Sequence, residues 1–139
     1  MSSLASDVRF DWDASHPPSL AQIRSDLATT FFRGSLVHAH FGKATNLPLA
    51  SERFIGPAWK RSKVLVGELI TVAVTGRFKF FSATFTDANY GELFAVNTAL
   101  SDNPADFDLL DFGSAGPAGM LDQVSEEGIS GWLNIDRRA

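Results

Sequence analysis

His16-Pro17-Pro18-Ser19-Leu20-Ala21-Gln22-Ile23-Arg24-Ser25-Asp26-Leu27-Ala28-Thr29-Thr30-Phe31-Phe32-Arg33-Gly34 is the stretch on which the reading of the fold turns. Ser19 follows two prolines and has Gln22 three residues later, the pattern of a capping box. Leu20, Ile23, Leu27 and Phe31 then recur at spacings of three and four, which places them on one stripe of a helix. Gly34 after Arg33 is a stop signal. The pattern predicts one amphipathic helix over residues 19–33.

Around it the signals are those of strands. Val8, Phe10 and Trp12 share a phase in a short edge strand over 6–13. Residues 35–41 alternate, with Val37, Ala39 and Phe41 on one face and Leu36, His38 and His40 on the other. Residues 42–62 read as irregular, broken by Pro48 and Pro57. Three strands are then expected over 64–75, 78–86 and 92–100, joined by a two-residue turn at Gly76-Arg77 and a longer one at 87–91. Ile70, Val72 and Val74 face the core in the first, Phe81, Ala83 and Phe85 are in phase in the second, and Phe94, Val96, Thr98 and Leu100 alternate in the third, making an antiparallel meander. Asn103-Pro104 opens a short helix ending at Gly113, residues 113–119 form a Gly- and Pro-rich loop, and 120–127 read as a further helical turn or two. Trp132, Leu133 and Ile135 offer a terminal strand. The expectation is an α+β fold, an antiparallel sheet on one main helix, in a single domain over 1–139 with its core in 16–100 and an extension over 101–139.

A chain of 139 residues with 45% hydrophobic content supports one core without staples. It has no cysteine, so disulfides, thiolate metal sites and a cysteine nucleophile are excluded. No apolar run reaches the roughly 20 residues of a membrane span, and the first ten residues lack the pattern of a signal peptide. A cytoplasmic location is expected. The net charge of −4 is unevenly placed. Residues 1–32 hold two basic and four acidic side chains, residues 33–79 eight and two, and residues 80–139 two and ten. Such asymmetry marks an anion-binding face or an assembly in which opposite faces of neighbouring copies meet. Overall acidity weighs against a nucleic-acid binder.

Three groups of side chains suggest chemistry. Asp26 flanks the apolar stripe of the helix, where partial burial would suit its carboxylate to general-base work, and His16 or His38 would be an auxiliary acid–base group. His38 and His40 project to one side of a strand, but residues 41–51 supply no acid to complete a metal site. Arg53, Lys60, Arg61 and Lys63, interleaved with Phe54 and Trp59, would receive phosphates. Asp106 and Asp108 read as first-turn helix acids, since Asp102, Asp106, Asp108 and Asp111 lack the spacing of a calcium loop.

His16-Pro17-Pro18 followed by Ser25-Asp26-Leu27-Ala28 resembles the start of the central helix in the hot-dog thioesterase and dehydratase family. The runs from Arg53-Phe54 and Pro57 through Gly67-Glu68-Leu69-Ile70-Thr71-Val72 to Gly76-Arg77, and from Asp87 to Gly91-Glu92-Leu93-Phe94-Ala95, are similar to its strands. The resemblance spans about residues 16–100. It implies a homodimer that binds an acyl-coenzyme A or other apolar small molecule and acts on an acyl thioester, with Asp26 at the reactive carbon and the basic residues on the phosphates. Pro17 and Pro18 stand where the family has glycines, and proline has no N–H to polarise the thioester carbonyl. The competing class is a non-enzymatic interaction or assembly protein, of the immunity or phage structural kind, that pairs its basic middle with its acidic end. No cofactor is implied. Because His38 and His40 have no supporting ligands in sequence, protein purified without added metal is expected to carry no stoichiometric zinc, iron or manganese. Elemental analysis of the wild type and of His40→Ala checks this; a metal lost on that substitution would refute it.

Overall fold

A computed structural model describes residues 7–8, 11–46, 53–96, 107–109 and 119–136. They form strands and turns, with one 3-10 turn at Asp87–Asn89 and no α-helix among the described residues. The architecture is all-β, and the expected α+β fold is corrected. The strands are β1 (Asp11–Trp12), β2 (Ser19–Arg24), β3 (Thr29–Phe31), β4 (Leu36–His40), β5 (Lys43–Thr45), β6 (Arg53–Pro57), β7 (Ser62–Val64), β8 (Leu69–Phe81), β9 (Leu93–Val96), β10 (Phe107–Leu109), β11 (Gly119–Glu126) and β12 (Ser130–Asp136).

The stretch read as a helix is two strands and a bend. Ala21 and Ile23 turn inward and Leu20, Gln22 and Arg24 outward, a period of two. Ser19, the expected cap, pairs with Thr75, and its N–H donates to Thr75 Oγ1 at 3.1 Å. β2 is held by β8, from Ser19↔Thr75 to Arg24↔Leu69. The Ser25 hydroxyl then takes the Leu27 N–H at 3.1 Å and donates to the Leu27 carbonyl. Such local bonding by a serine competes with a helical ladder. The apolar spacing fits both periods, and what decides is the demand of β8 for backbone partners.

β8 is one strand of 13 residues where the sequence suggested a hairpin. It is rich in β-branched and aromatic residues. One edge carries β2 and then β1; the other meets Ala58 at Val72 and then β12 over Thr75–Phe81. Gly76 does not turn the chain back. It has a φ of +143°, and a Cβ there would stand 2.9 Å from the Phe78 ring and 3.2 Å from Pro18 Cα. Only glycine fits this backbone conformation and close approach. β8 and β9 are not neighbours, so the meander is absent: the sheet runs β1-β8-β12-β11-β9-β10. Phe78, Phe80 and Phe85 are buried and Phe81 is exposed, so Phe81 and Phe85 do not share the one phase expected over 78–86.

Two apolar clusters follow. Pairing runs round a circuit from β8 to β2, through Ser25↔Ala44 to β5, to β4 and β6, and back through Ala58↔Val72. Phe31, Val37, Ala44, Ala58, Val64, Ile70 and Val72 pack together on this side. Leu36, Phe54, Ala73, Phe78, Phe80, Phe85, Phe94, Leu121, Leu133 and Ile135 form the second cluster. Residues 120–126, read as helical, lie in β11, and Phe107–Leu109, inside the expected short helix, are strand β10. The terminal strand around Trp132 is present as β12 and sits in the middle of the sheet, so the C-terminal third is no appendage. The rest of the expected 103–113 helix, residues 113–118 of the Gly- and Pro-rich loop and the end of the 92–100 strand lie outside the described residues. No helix among the described residues is long and apolar enough to cross a membrane. Residues 19–33, expected to be the central helix of a hot-dog architecture, are strand and bend, so that expectation is corrected.

Gly76→Ala is expected to destabilise the fold by about 1–3 kcal/mol through backbone strain, to which the clash with Phe78 adds. Urea denaturation of the purified variant measures it; an unchanged midpoint would show that β8 does not need glycine at this position.

Candidate functional site

One end of the circuit gathers three loops. The first is the turn Phe41-Gly42 between β4 and β5, with φ of +48° and +78°. Two successive positive φ values are the mark of a type I′ hairpin turn, which favours Asn-Gly. Phe41 is the one non-glycine residue with positive φ among the described residues. It is also 93% exposed, and its ring meets His40 edge-on at 4.5 Å. A bulky side chain in this conformation costs roughly 1–2 kcal/mol, and here no burial offsets it.

The second loop is the bend at Ser25-Asp26, fixed on both sides. Asp26 N–H donates to the Ala44 carbonyl and Ser25 N–H to the Glu68 carbonyl, each at 2.8 Å. The third is the turn of Leu65, Val66, Gly67 and Glu68 before β8. Gly67 N–H donates to the Ser25 carbonyl at 2.8 Å, Glu68 Oε1 accepts from Leu65 N–H at 2.7 Å, and Arg24 Nη1 donates to the Gly67 carbonyl at 2.9 Å. Leu65 and Val66 are 67% and 60% exposed. The rim is thus a hydrogen-bonded frame that holds apolar side chains out in solvent.

Asp26, singled out from the sequence, lies in this rim on a bend and not on a helix. His40 Nε2 stands 3.9 Å from Asp26 Oδ2, an ion-pair distance when the imidazole is protonated. The histidines expected to assist Asp26 are elsewhere. His38 is fully buried, edge-on to Phe54 at 5.5 Å, and not on a wet strand face, so it has no access to a solvent-borne substrate. His40, two residues on, reaches the rim, and the two imidazoles are divided between core and surface. His16 sits in the turn before β2, its Nδ1 3.2 Å from Asp13 Oδ2.

The basic segment is exposed but spread over two strands and a loop. Arg53 begins β6, opposite Ala39. Lys63 is on β7, opposite Thr30. Lys60 lies just before β7, and Arg61 is pinned to Asp7 at 3.1 Å and lies over the Phe32 ring. Sequence reasoning passed over Phe41, although two residues between the runs Val37–His40 and Lys43–Thr45 fit a tight hairpin with glycine second.

It also passed over Arg77. This guanidinium, 15% exposed, lies 4.7 Å above the Trp132 ring. It donates through Nε to both Asp122 oxygens at 2.9 and 3.0 Å, through Nη1 to Asp13 at 2.9 Å and through Nη2 to Gln123 at 2.6 Å. With its nitrogens all engaged, it joins β8 to β11 and to the turn after β1, which is a structural role. Ser15 bonds Asp13 through its hydroxyl at 2.6 Å and its N–H at 2.9 Å, and with Arg77 these hold the Asp13 carboxyl far below its ordinary value.

No protein-family model matches the sequence, and no characterised protein shows significant similarity to it.

A carboxyl whose pKa is lowered by folding stabilises the folded state above the unfolded value, and the contribution is lost as pH falls toward the folded one. For Asp13 the loss begins near its ordinary value of 3.8. Urea midpoints measured at neutral pH and at about pH 3 should therefore fall less in Asp13→Asn than in the wild type. Equal acid sensitivity would show that the Arg77 network makes no such contribution.

Proposed function

We propose that this domain is a non-enzymatic assembly protein, joining copies of itself through surfaces of opposite charge. The observation that carries the reading is the segregation of exposed charge between its two parts. Among the described residues of 19–68, the exposed charged side chains are Arg24, Arg33, Lys43, Arg53, Lys60, Arg61 and Lys63, against Glu68 alone. Among those of 82–135 they are Asp87, Glu92, Glu126 and Glu127, with no cation. Single exposed ion pairs contribute little. Two faces of opposite sign on one molecule act together, however: they steer encounters and select orientation. The acyl-thioester alternative stood on a helix start that is strand β2, and Lys60 and Arg61 lie just before β7 while Asp26 belongs to the rim beyond its far end.

The size of the full chain, followed by analytical ultracentrifugation, is expected to exceed a monomer at low ionic strength and to fall as salt is added. Lys60→Glu with Lys63→Glu should abolish the association, as should Glu126→Lys with Glu127→Lys. Mixing the two charge-reversed proteins should restore association, because one then presents only negative and the other only positive surfaces. A wild type that is monomeric at low salt would overturn the reading.

A further inference from the structure

The loop rim and the β11–β12 turn lie at opposite ends of β8. The Leu65–Glu68 turn leads directly into Leu69, whereas Ser130, just past the β11–β12 turn, pairs with Phe81. Each half of β8 spans roughly 20 Å at 3.3 Å per residue. The far turn has a chemistry of its own. Ile129 is 54% exposed and follows Glu126 and Glu127, both exposed, while Gly128 N–H donates to the Phe85 carbonyl at 2.8 Å and fixes the turn to the body. The rim offers the complement. Phe41, Leu65 and Val66 stand exposed, with Lys43 directly after the Phe41-Gly42 turn. The two rim acids face inward partners: Glu68 accepts from Leu65 N–H, and Asp26 stands beside His40.

We infer that the occupant of this rim is a second copy of the chain: Phe41, Leu65 and Val66 of one molecule receive Ile129 of the next, and Lys43 meets its Glu126-Glu127 pair. The inference rests on the assembly reading and gives it a geometry. A patch at one end of a molecule that binds a different patch at the other end makes a heterologous contact. Such a contact repeats head to tail, closing into a ring or extending as a filament. It also gives a reason for Phe41, whose left-handed backbone and near-complete exposure are unfavourable in an isolated molecule and serve an anchor that a neighbour buries.

The test exploits the asymmetry of the contact. Phe41→Asn places at the turn a residue suited to positive φ, so its thermal midpoint should equal or exceed that of the wild type. Its self-association should nevertheless weaken at least tenfold. Ile129→Ser damages only the other half and should weaken self-association likewise. Mixed in equal amounts, the two variants should form a heterodimer that grows no further, because each contributes the surface the other has kept. A wild type that assembles while Phe41→Asn assembles equally well would overturn this inference and leave the charge-driven reading standing. Variants that stay monomeric when mixed would overturn it too, by showing that the two patches do not meet. A wild type that never assembles would overturn both.

Discussion

The backbone of β8 is the constraint from which the rest of the molecule follows. Its 13 residues are buried or half-buried except at the two ends, and backbone groups taken out of water must find partners. Both edges are used: β2 and β1 along one, the bridge to Ala58 and then β12 along the other. The first half of β8 already serves both apolar clusters, Val72 on one face and Ala73 on the other. Gly76, with a φ of +143°, stands between Ile70 and Val72, which pack in one cluster, and Phe78 and Phe80, which pack in the other. Arg77, the next residue, secures this point of the strand through Asp13, Asp122 and Gln123.

Much of the strand content was legible in the sequence. The alternation of 35–41 places β4, the runs on either side of Gly76 both lie in strand, and Trp132, Leu133 and Ile135 mark β12. What misled was a coincidence of periods. Leu20, Ile23, Leu27 and Phe31 satisfy a helix, yet Leu20 is exposed and Phe31 belongs to another strand. Nothing local in Ser19–Arg24 records that a strand fifty residues away needs an edge partner. Gly76-Arg77 likewise has the look of a turn, and only tertiary context shows that this glycine lies within a strand and does not reverse it.

The candidate site was legible in part for a related reason. Asp26 was chosen as a helix-flank acid and reached the rim by another route, as part of a bend braced by Ala44 and Glu68. His38 and His40 have equal claims in sequence, since both alternate with apolar neighbours. Burial separates them, and burial depends on where β6 and Phe54 come to lie. The charge asymmetry, by contrast, needed no folding to be seen. The fold preserves it because the basic stretch supplies β4–β7 while the acidic stretch supplies β9–β12 and their turns.

The pairing of β8 also sets an order in time. Asp11 pairs with Lys79 and Asp136 with Thr75, so contacts far apart in sequence dominate the fold, a topology associated with slow folding. A chain leaving the ribosome can close the circuit of β2, β5, β4 and β6 as soon as the first half of β8 is made. Leu133 and Ile135, which complete the packing around Phe78 and Phe80, arrive only after β9, β10 and β11 have been made. Until then a row of phenylalanines stands beside an open strand edge, the surface on which nascent chains stick to one another. The interval between the translation of Phe78 and that of Ile135 is therefore when this protein most needs a chaperone.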